Sequence, residues 1–186
     1  MNKLFPLINN YNNLLYDTEG LYSITNYVEA NLISDIILSN FNPNNYLKIL
    51  DGTGGLGGNT ISFAKKFKSI TSIELNNNRF KMLKNNIKQY KLNVNLLNIN
   101  CIDYIKKNLN TYDIYFFDPP WGGVNYKEKK SINLKLDDLY LYEIVNLFKN
   151  KLIVFKIPFN YNLNEFKKFN YKLYKINKYY IILIYV

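Results

Sequence analysis

Residues 46–67, YLKILDGTGGLGGNTISFAKKF, decide the fold class of this 186-residue chain. The apolar run Tyr46–Leu50 predicts a short buried strand that ends at Asp51 and a cluster of glycines. Asn59–Phe67 has helical spacing, so the glycines form the turn between a strand and a helix. A strand, a glycine-rich turn and a helix in this order indicate the first unit of an α/β protein with a parallel sheet.

The rest of the chain repeats the alternation of strands and helices. Further strands are predicted at Ile70–Ile73, Val94–Ile99, Tyr112–Phe117, Leu152–Lys156, Tyr171–Ile176 and Tyr179–Tyr185. Further helices are predicted at Asn26–Ser39, with Asn26 as its cap, and at Asn77–Tyr90, Asp137–Phe148 and Tyr161–Phe169. No helix separates the last two strands, which predicts a hairpin. We therefore expect an α/β fold with a mainly parallel seven-stranded sheet, helices on both faces and an antiparallel C-terminal hairpin.

The length and composition limit the architecture and the chemistry. The chain is long enough for one domain, expected at residues 26–186, with residues 1–25 as an N-terminal arm that packs on the site. The sequence holds no histidine, and Cys101 is its single cysteine. These counts exclude catalytic triads with histidine, Cys–His dyads, zinc sites of the Cys/His type and internal disulfides, and we expect no metal.

The apolar segments are short. The longest apolar runs are about as long as Ile181–Val186, whereas a membrane-spanning helix needs about 20 apolar residues. The N-terminus lacks the charged, apolar and small-residue order of a secretory signal. We expect a soluble, monomeric intracellular protein of the nucleus or cytoplasm (a viral protein in the host cytoplasm included) that does not contact a membrane.

The chain is strongly basic, with 24 lysines and arginines against 14 acidic residues and a formal net charge of +10. The excess is concentrated in residues 127–186, which fits binding of a polyanion such as RNA. However, Arg79 is the only arginine, and lysine, asparagine, isoleucine, tyrosine and phenylalanine all have A/T-rich codons. A base bias of the genome is therefore an alternative source of the charge.

The glycine cluster has the spacing of a nucleotide-binding loop. Gly52, Gly54 and Gly57 fit the pattern G-x-G-x-x-G. Asp51 stands directly before the loop, where its negative charge repels a pyrophosphate. S-adenosylmethionine has no phosphate and carries an ammonium and a sulfonium group, so it fits best. A nicotinamide cofactor and a purely structural turn are the alternatives.

Carboxylates stand at the ends of the predicted strands, where ligands of open α/β sheets bind. Glu74 ends the second strand and can accept hydrogen bonds from both ribose hydroxyls of the donor. Asp103 follows the third strand and can accept one from the adenine amino group, or it is a surface acid in a turn.

The second motif is YDIYFFDPPWGG, residues 112–123, in which a strand ends at Asp118 and two prolines stiffen the turn. An acid, Pro-Pro and an aromatic are typical of methyltransferases that act on an amino group of a planar base. The Asp118 carboxylate and the Pro119 carbonyl can accept the two hydrogens of the amine, while Trp121 stacks on the ring. Such an amine is a weak nucleophile, so orienting it toward the methyl donor is the main task. A core tryptophan is the structural alternative for Trp121.

Three segments together resemble the trimethylguanosine synthase family, RNA cap guanine-N2 methyltransferases of the class I S-adenosylmethionine-dependent type. The glycine cluster runs into Gly-Gly-Asn-Thr at residues 57–60, the second motif contains Pro-Pro-Trp-Gly-Gly at residues 119–123, and residues 19–25, EGLYSIT, are similar to an upstream segment of the family. The resemblance spans residues 17–145 and implies a Rossmann-like class I methyltransferase fold.

The resemblance also implies that the base stacked on Trp121 is 7-methylguanine, whose positive charge suits an indole ring. Together with the reasoning from the residues, it gives these expected donor contacts: Ser23, Thr25, Asp51, Gly52, Thr53, Gly54, Asn59, Glu74, Asp103 and Asp118. The expected catalytic residues are Asp118, Pro119 and Trp121. The expected cap contacts are Trp121, Gly122, Tyr126, Lys127, Lys129 and Lys130. The lysines would meet the triphosphate, or else they belong to a solvated loop.

This sequence departs from the family pattern at three positions. The family usually has serine where Asp118 stands, Leu21 replaces an aromatic residue of the upstream segment, and Asn26 replaces a proline. A carboxylate at Asp118 binds the amine more strongly, but methyltransferases of other base amines share it.

We expect an enzyme that methylates the N2 amine of the 7-methylguanosine cap of RNA, giving a di- or trimethylated cap and S-adenosylhomocysteine. One alternative is a methyltransferase of a base amine, guanine N2 or adenine N6, within rRNA, tRNA or DNA, whose target base must leave its stack. Another is an RNA-binding subunit without activity. Asp51, Glu74, Asp118 and Trp121 argue against that alternative, because a scaffold needs none of them together.

Overall fold

A computed structural model describes residues 2–41 and 47–186. The chain divides into two compact units, Met1–Cys101 and Ile102–Val186. Tyr46, at which the first predicted strand begins, lies outside the described residues. The division into an arm and one domain at residue 26 stays a prediction. Within the described ranges, no helix is both long enough and apolar enough to cross a membrane.

The first unit alternates helices with short parallel strands. Its elements are α1 (Thr18–Ser23), α2 (Tyr27–Leu38), β1 (Lys48–Asp51), α3 (Gly58–Lys66), β2 (Ser69–Ile73), α4 (Asn77–Gln89) and β3 (Asn95–Leu97), with a 3-10 turn at Tyr11–Asn13. β1 pairs with β2 and β2 with β3, both in parallel. The predicted cap of α2 is confirmed, because the Asn26 side chain accepts a hydrogen bond from the Glu29 N–H.

The second unit contains the remaining strands. α5 (Cys101–Lys107) leads into it, and β4 (Ile114–Phe117), β5 (Lys135–Leu136), β6 (Leu139–Tyr140), α6 (Leu141–Val145), β7 (Leu152–Pro158), β8 (Asn170–Ile176) and β9 (Tyr179–Tyr185) follow, with 3-10 turns at Val124–Glu128 and Leu163–Phe166. β4 pairs in parallel with β7, and β9 pairs antiparallel with β7 and β8. Every residue of β4 and β7 is buried, which explains why both strands are continuous apolar runs apart from Lys156.

The strands form a seven-stranded sheet in the order β3-β2-β1-β4-β7-β9-β8, and β5 and β6 form a separate hairpin. This order confirms the α/β class with a mainly parallel sheet, helices around it and an antiparallel hairpin at the C-terminal end. The last strand, β9, lies between β7 and β8, so that the hairpin contributes its first strand to the edge of the sheet.

One predicted helix is wrong in extent. The apolar spacing of Asp137–Phe148 predicts a helix, but Leu136 pairs with Leu139 in the β5–β6 hairpin. Asp137 takes a positive φ of 51°, a turn conformation that aspartate tolerates better than most residues. The helix therefore begins only after the hairpin and covers Leu141–Val145.

Three shorter elements also differ from the sequence prediction. The predicted helix Tyr161–Phe169 is a single 3-10 turn, Leu163–Phe166, and Tyr161 forms a parallel bridge instead. The sequence does not predict α1, whose N-cap is Asp17: its carboxylate accepts a hydrogen bond from the Gly20 N–H at 2.6 Å. It does not predict α5 either, which begins soon after the short strand β3.

Candidate active site

The glycine loop, residues 51–59, connects β1 to α3 and packs tightly against β2. A Cβ atom on Gly54 would stand 2.5 Å from Oγ of Ser72 and 2.8 Å from Leu83. The Gly54 N–H donates to the Ile73 carbonyl at 2.7 Å. Gly57, directly before α3, has a φ of 100°, which favours glycine. Close packing against β2 and a left-handed turn therefore explain the two glycines.

Asp51 lies beneath the glycine loop and is fully buried, with 0% of its surface exposed. Its Oδ1 accepts from the Thr53 N–H at 3.2 Å and its Oδ2 from the Thr60 hydroxyl at 2.6 Å. Thr60 is in turn 2.9 Å from the hydroxyl of Ser72 in β2. The carboxylate thus holds the loop in shape through hydrogen bonds, and its expected contact with the donor stays a prediction.

Glu74 follows β2 and is half-buried. Its Oε2 accepts from the Gly55 N–H at 2.9 Å, and its Oε1 accepts from the Asn76 N–H at 2.8 Å. Because each carboxylate oxygen has two lone pairs, these two bonds orient the group and still allow it to accept ribose hydroxyls.

The segment before α2 is fastened to the start of α3. A Cβ atom on Gly58 would stand 2.4 Å from the Thr25 carbonyl, so this glycine permits the close approach. The Asn59 side chain donates to the Thr25 hydroxyl at 3.1 Å, and both residues are buried. Among the described residues, the buried Oδ1 of Asn59 finds no hydrogen-bond donor. Ser23 is exposed and its hydroxyl donates to the Gly20 carbonyl at 3.4 Å, so the structure brings Thr25 and Asn59 together but not Ser23.

Asn86 of α4 is a residue that the sequence reasoning missed. It is fully buried, accepts from the Leu15 N–H at 2.8 Å and donates to the carbonyls of Leu15 at 2.9 Å and Leu56 at 3.0 Å. One amide thereby joins the N-terminal segment to the glycine loop. Its signal in the sequence is a polar side chain on a helix face that otherwise carries Leu83 and Ile87.

Arg79 of α4 forms ion pairs with Asp17 at 3.3 Å and with Glu19 at 3.0 Å. Burial lowers the pKa of Arg79, but hydrogen bonds to Glu19 and Asp17 and the charges of both carboxylates outweigh burial and raise it. The single arginine of the sequence therefore has a structural role, because its ion pairs connect α4 to α1.

S-adenosylmethionine, the donor expected from the sequence, fits the residues of the glycine loop. The donor is a cation without phosphates, and residues 51–64 contain one charged side chain, the acidic Asp51. Glu74 can accept from hydroxyls, and the buried Oδ1 of Asn59 is an acceptor that lacks a donor among the described residues. A nicotinamide dinucleotide would place a pyrophosphate next to Asp51 instead, which is unfavourable.

Asp118 directly follows β4, and its partner is a second residue that the sequence reasoning missed. Nζ of Lys156 in β7 lies 2.7 Å from Oδ2 of Asp118. Side-chain exposure is 7% for Lys156 and 17% for Asp118, so the pair is largely shielded from water. The signal in the sequence is one lysine inside the apolar run LIVFKIP, residues 152–158, because a buried lysine needs a counter-charge.

Trp121 stands at the centre of an aromatic cluster in the second unit. Its ring lies 5.0 Å from the ring of Tyr126, edge to face, and 6.2 Å from the ring of Tyr179. Nζ of Lys156 lies 5.3 Å from the Trp121 ring centre and 4.8 Å from that of Tyr179. The side chain of Trp121 is half-buried, and its indole Nε1 finds no acceptor among the described residues.

The residues after Trp121 form an exposed turn. Pro119 is buried, whereas Gly122 and Gly123 are exposed and take positive φ angles of 87° and 80°. Both glycines have open space where a Cβ would stand, so the backbone conformation and not packing requires glycine here.

The expected phosphate contacts are exposed. Lys127, Lys129 and Lys130 all face solvent, and Lys127 lies 5.7 Å from the ring centre of Tyr126. Asn160 donates to the carbonyls of Tyr126 and Lys129, each at 2.8 Å, which fixes the backbone that carries these lysines. The structure thus brings Trp121, Tyr126 and Lys127 together, while the roles of Lys129 and Lys130 stay predictions.

Asp103 lies in the first turn of α5 and is exposed. The third predicted strand ends earlier than expected, and α5 carries this acid. Its expected contact with adenine stays a prediction.

Comparison with known proteins identifies the family of the chain. Residues 46–185 match a family model described as RNA cap guanine-N2 methyltransferase. The chain is 38% identical to the uncharacterized protein L320 of Acanthamoeba polyphaga mimivirus, over 89% of this chain and 75% of that protein. It is 32% identical to the trimethylguanosine synthase of Schizosaccharomyces pombe, over 72% of this chain and 56% of that protein.

Bacterial relatives and structures share the fold. The chain is 30% identical to the ribosomal RNA small subunit methyltransferase D of Buchnera aphidicola, over 93% of this chain and 86% of that protein. The solved structure of the 16S rRNA N2 G1207 methyltransferase of T. thermophilus, in complex with AdoMet and guanosine, superposes with a TM-score of 0.63 at 15% identity. This superposition covers 92% of this chain and 43% of that one, and at such identity it supports the fold alone.

Proposed function

The chain belongs to the RNA cap guanine-N2 methyltransferase family and is an S-adenosylmethionine-dependent methyltransferase, and we propose that its acceptor is the N2 amine of the 7-methylguanosine cap of an RNA. The products are S-adenosylhomocysteine and a cap with one or two methyl groups on N2. Capped RNA is then the partner of the chain.

The observation that carries the proposal is the Asp118 loop, residues 118–123, which joins a largely buried carboxylate to a half-buried indole. A carboxylate accepts hydrogens of an exocyclic amine, and an indole supplies a plane for the base. Pro119 and Pro120 restrict the backbone between the two groups. The loop therefore offers both contacts that an aromatic amine needs.

The donor supplies the reactive carbon. When bound, S-adenosylmethionine would supply a sulfonium methyl group to the acceptor nitrogen and leave as S-adenosylhomocysteine, and the nitrogen would lose a proton to solvent. Asp118 and the Pro119 carbonyl accept the two amine hydrogens and so orient the nitrogen lone pair. Since the methylated amine is acidic until it loses its proton, the reaction needs no imidazole base.

Residues of the first unit hold the donor in this proposal. Glu74 accepts hydrogen bonds from the ribose hydroxyls of S-adenosylmethionine. Oδ1 of Asn59, which has no hydrogen-bond partner among the described residues, accepts a hydrogen bond from the same molecule. Asp51 acts through the loop, whose Thr53 N–H and Thr60 hydroxyl it holds. The donor is thus bound by a loop whose shape is set in advance.

Recognition of the cap depends on charge. A 7-methylguanine ring is cationic, and an indole is the best aromatic partner for a cation. Lys127, Lys129 and Lys130 follow the Asp118 loop and are exposed, as contacts to a triphosphate require.

The test is a panel of methyl acceptors with labelled S-adenosylmethionine. One RNA is prepared with an m7GpppA cap, with an unmethylated GpppA cap and without a cap, and ribosomal RNA and duplex DNA are added as separate acceptors. After digestion, mass analysis of the nucleosides is expected to find methyl groups on N2 of 7-methylguanosine from the m7GpppA RNA. Label only in internal bases would reject the cap as acceptor.

An amine within ribosomal RNA is the second candidate acceptor. The likeness to a ribosomal RNA methyltransferase over 86% of that protein favours it. So does the Lys156 ammonium 5.3 Å from the Trp121 ring centre, because a cation beside the indole weakens the preference for a cationic base. The same acceptor panel separates the two candidates.

A further inference from the structure

Lys156 is a buried cation for which methyl transfer has no evident need. It lies inside β7 with 5% of its surface exposed, between two fully buried apolar residues. A buried ammonium is costly unless a counter-charge and hydrogen bonds compensate it. Asp118 supplies this charge at 2.7 Å, so the ion pair joins β7 to the loop that follows β4.

The strand register explains why the two charges meet. In the parallel pair of β4 and β7, Phe117 faces Phe155, and the next residues along the two strands are Asp118 and Lys156. In the antiparallel pair of β7 and β9, Lys156 faces Ile181, and Tyr179 stands two residues before it on the same face of the sheet. The sheet thus places the Asp118 carboxylate and the Tyr179 ring next to the Lys156 ammonium.

The same ammonium also contacts the indole. Nζ of Lys156 lies 5.3 Å from the ring centre of Trp121 and 4.8 Å from that of Tyr179, both within the range of cation–π attraction. One side chain therefore touches both groups that the proposed function assigns to the acceptor, Asp118 and Trp121.

We propose that Lys156 is the positioning residue of the acceptor site: it fixes the plane of the Asp118 carboxylate against the Trp121 indole and sets the charge that the stacked base meets. The proposal rests on the proposed function in so far as Asp118 and Trp121 hold the acceptor. It applies to whichever base amine the chain methylates.

Two effects follow from removing the ammonium in Lys156→Met, which keeps the length of the side chain. The carboxylate loses its orientation, so kcat falls by about 10- to 100-fold, while the dissociation constant of S-adenosylmethionine changes by less than about twofold. A positive charge also disappears beside the indole. The affinity for m7GTP relative to GTP then rises by up to about 20-fold, the value for two unit charges roughly 9 Å apart at an effective dielectric constant of about 20, since Nζ lies 5.3 Å from the ring on which the base stacks.

The experiment measures kcat and KM with capped RNA, donor affinity by calorimetry and the m7GTP-to-GTP affinity ratio. Lys156→Arg keeps the charge and is expected to retain the wild-type ratio and part of kcat. Lys175→Met is the matched control, because Lys175 also lies over an aromatic ring, 5.2 Å from Phe159, but is exposed on the surface. All three values are expected to stay within about twofold for this control.

A double-mutant cycle keeps the proposal falsifiable if Lys156→Met folds poorly. In an Asp118→Ala background, Lys156→Met is expected to lower kcat by less than about twofold, because the positioning residue acts through the carboxylate that is already gone. Additive losses would overturn the positioning role, and so would an unchanged kcat in folded Lys156→Met. An unchanged m7GTP-to-GTP ratio would overturn the charge role.

Failure of the proposed function is distinguishable from failure of this inference. If the acceptor panel identifies an internal base amine, the cap is rejected, and kcat for that acceptor in Lys156→Met still decides whether Lys156 positions Asp118.

Discussion

The glycine loop and the Asp118 loop differ in the partners and the exposure of their polar groups. Both oxygens of Asp51 are bonded to the loop and to α3, and the carboxylate has no exposed surface. In the Asp118 loop, the ion pair to Lys156 spans two strands, and Nε1 of the half-buried indole finds no acceptor among the described residues. In the proposed function, the first arrangement holds the methyl donor, and the second, with its shielded ion pair and half-buried indole, receives the acceptor base.

The two regions also differ in the sign of their charged side chains. Residues 51–64 carry one charged side chain, which is acidic, whereas three lysines follow the Asp118 loop within residues 127–130. A cationic donor suits the first region and a phosphate-bearing acceptor the second. Variants in the two regions should therefore affect different steps of the reaction.

The largest expected effect is that of Asp118→Ala on turnover. Loss of the carboxylate removes the acceptor for the amine hydrogens, and we expect kcat to fall by about 100- to 1000-fold, as for the loss of one preorganised group in other active sites. Donor affinity should fall much less than turnover, because Glu74 and the glycine loop, which hold most of the expected donor contacts, remain intact. Steady-state kinetics and calorimetry measure the two quantities.

Asp118→Asn, which keeps the size of the side chain and one oxygen acceptor, should lose less activity than Asp118→Ala. Asp138→Ala in the exposed β5–β6 turn is the matched control. If Asp118→Ala kept wild-type turnover, the carboxylate would have no part in holding the amine.

Asp51→Ala should have the opposite profile. The Thr53 N–H and the Thr60 hydroxyl lose their acceptor, so the glycine loop loses its shape, and the donor should bind about 10- to 100-fold more weakly. Calorimetric titration with S-adenosylmethionine or S-adenosylhomocysteine measures this. Asp35→Ala is the control, because Asp35 pairs with Lys66 at the surface. Intact donor affinity in Asp51→Ala would refute the role of the loop.

Trp121→Ala should raise the KM for the acceptor and leave the affinity for S-adenosylmethionine unchanged. Loss of base stacking costs about 1–3 kcal/mol, so we expect a rise of about 5- to 150-fold in the KM for capped RNA. Trp121→Phe should recover part of it, and Phe159→Ala removes an exposed aromatic residue outside the loop as a control. Loss of donor binding in Trp121→Ala would show instead that the indole is structural.

More of the fold than of the candidate site can be predicted from the sequence. Local patterns set β1, the glycine turn and α3, since apolar spacing and glycine conformations depend on near neighbours. The sequence does not predict the β5–β6 hairpin because the apolar residues around Asp137 also have helical spacing, whereas in the structure Asp137 has a positive φ of 51° and Leu136 pairs with Leu139. Such a choice depends on tertiary packing and not on local preference.

The site residues that sequence reasoning missed have partners that are distant in the chain. Lys156 meets Asp118 across 38 residues, and Asn86 meets Leu15 across 71. Motifs identify groups that are neighbours in sequence, whereas these contacts require the strand register and the helix packing. A buried lysine or asparagine in an apolar run is the signal that a sequence still offers, since each requires a partner.

The smallest expected effect is on stability at high pH, and it concerns the half-buried Tyr90 of the first unit and the fully buried Tyr115 of the second. Burial raises the pKa of Tyr90 and of Tyr115 from 10.0 to about 12. Each hydroxyl donates at 2.7 Å, to the carbonyls of Pro6 and Asn108 respectively. Because the folded chain retains these protons more strongly, their contribution is complete below pH 10 and is lost as the pH rises from 10 to about 12.

Denaturant unfolding at pH 9, 10 and 11 should show this for Tyr115→Phe. The difference in unfolding free energy between wild type and variant should shrink by up to about 1.4 kcal/mol per pH unit above pH 10. Tyr22→Phe, at a residue that is 60% exposed, is the surface control for the loss of a tyrosine hydroxyl. A pH-independent difference for Tyr115→Phe would contradict the assigned cause.

The central claim, that the indole of the Asp118 loop receives the acceptor base, is tested most directly by fluorescence. Trp121 is the only tryptophan of the chain, so its emission reports on this one ring. Titration with m7GTP is expected to quench the emission with a saturable curve whose dissociation constant equals that from calorimetry, and GTP should quench at higher concentrations. If calorimetry detects m7GTP binding while the emission of Trp121 stays unchanged, the base binds elsewhere and the account is wrong.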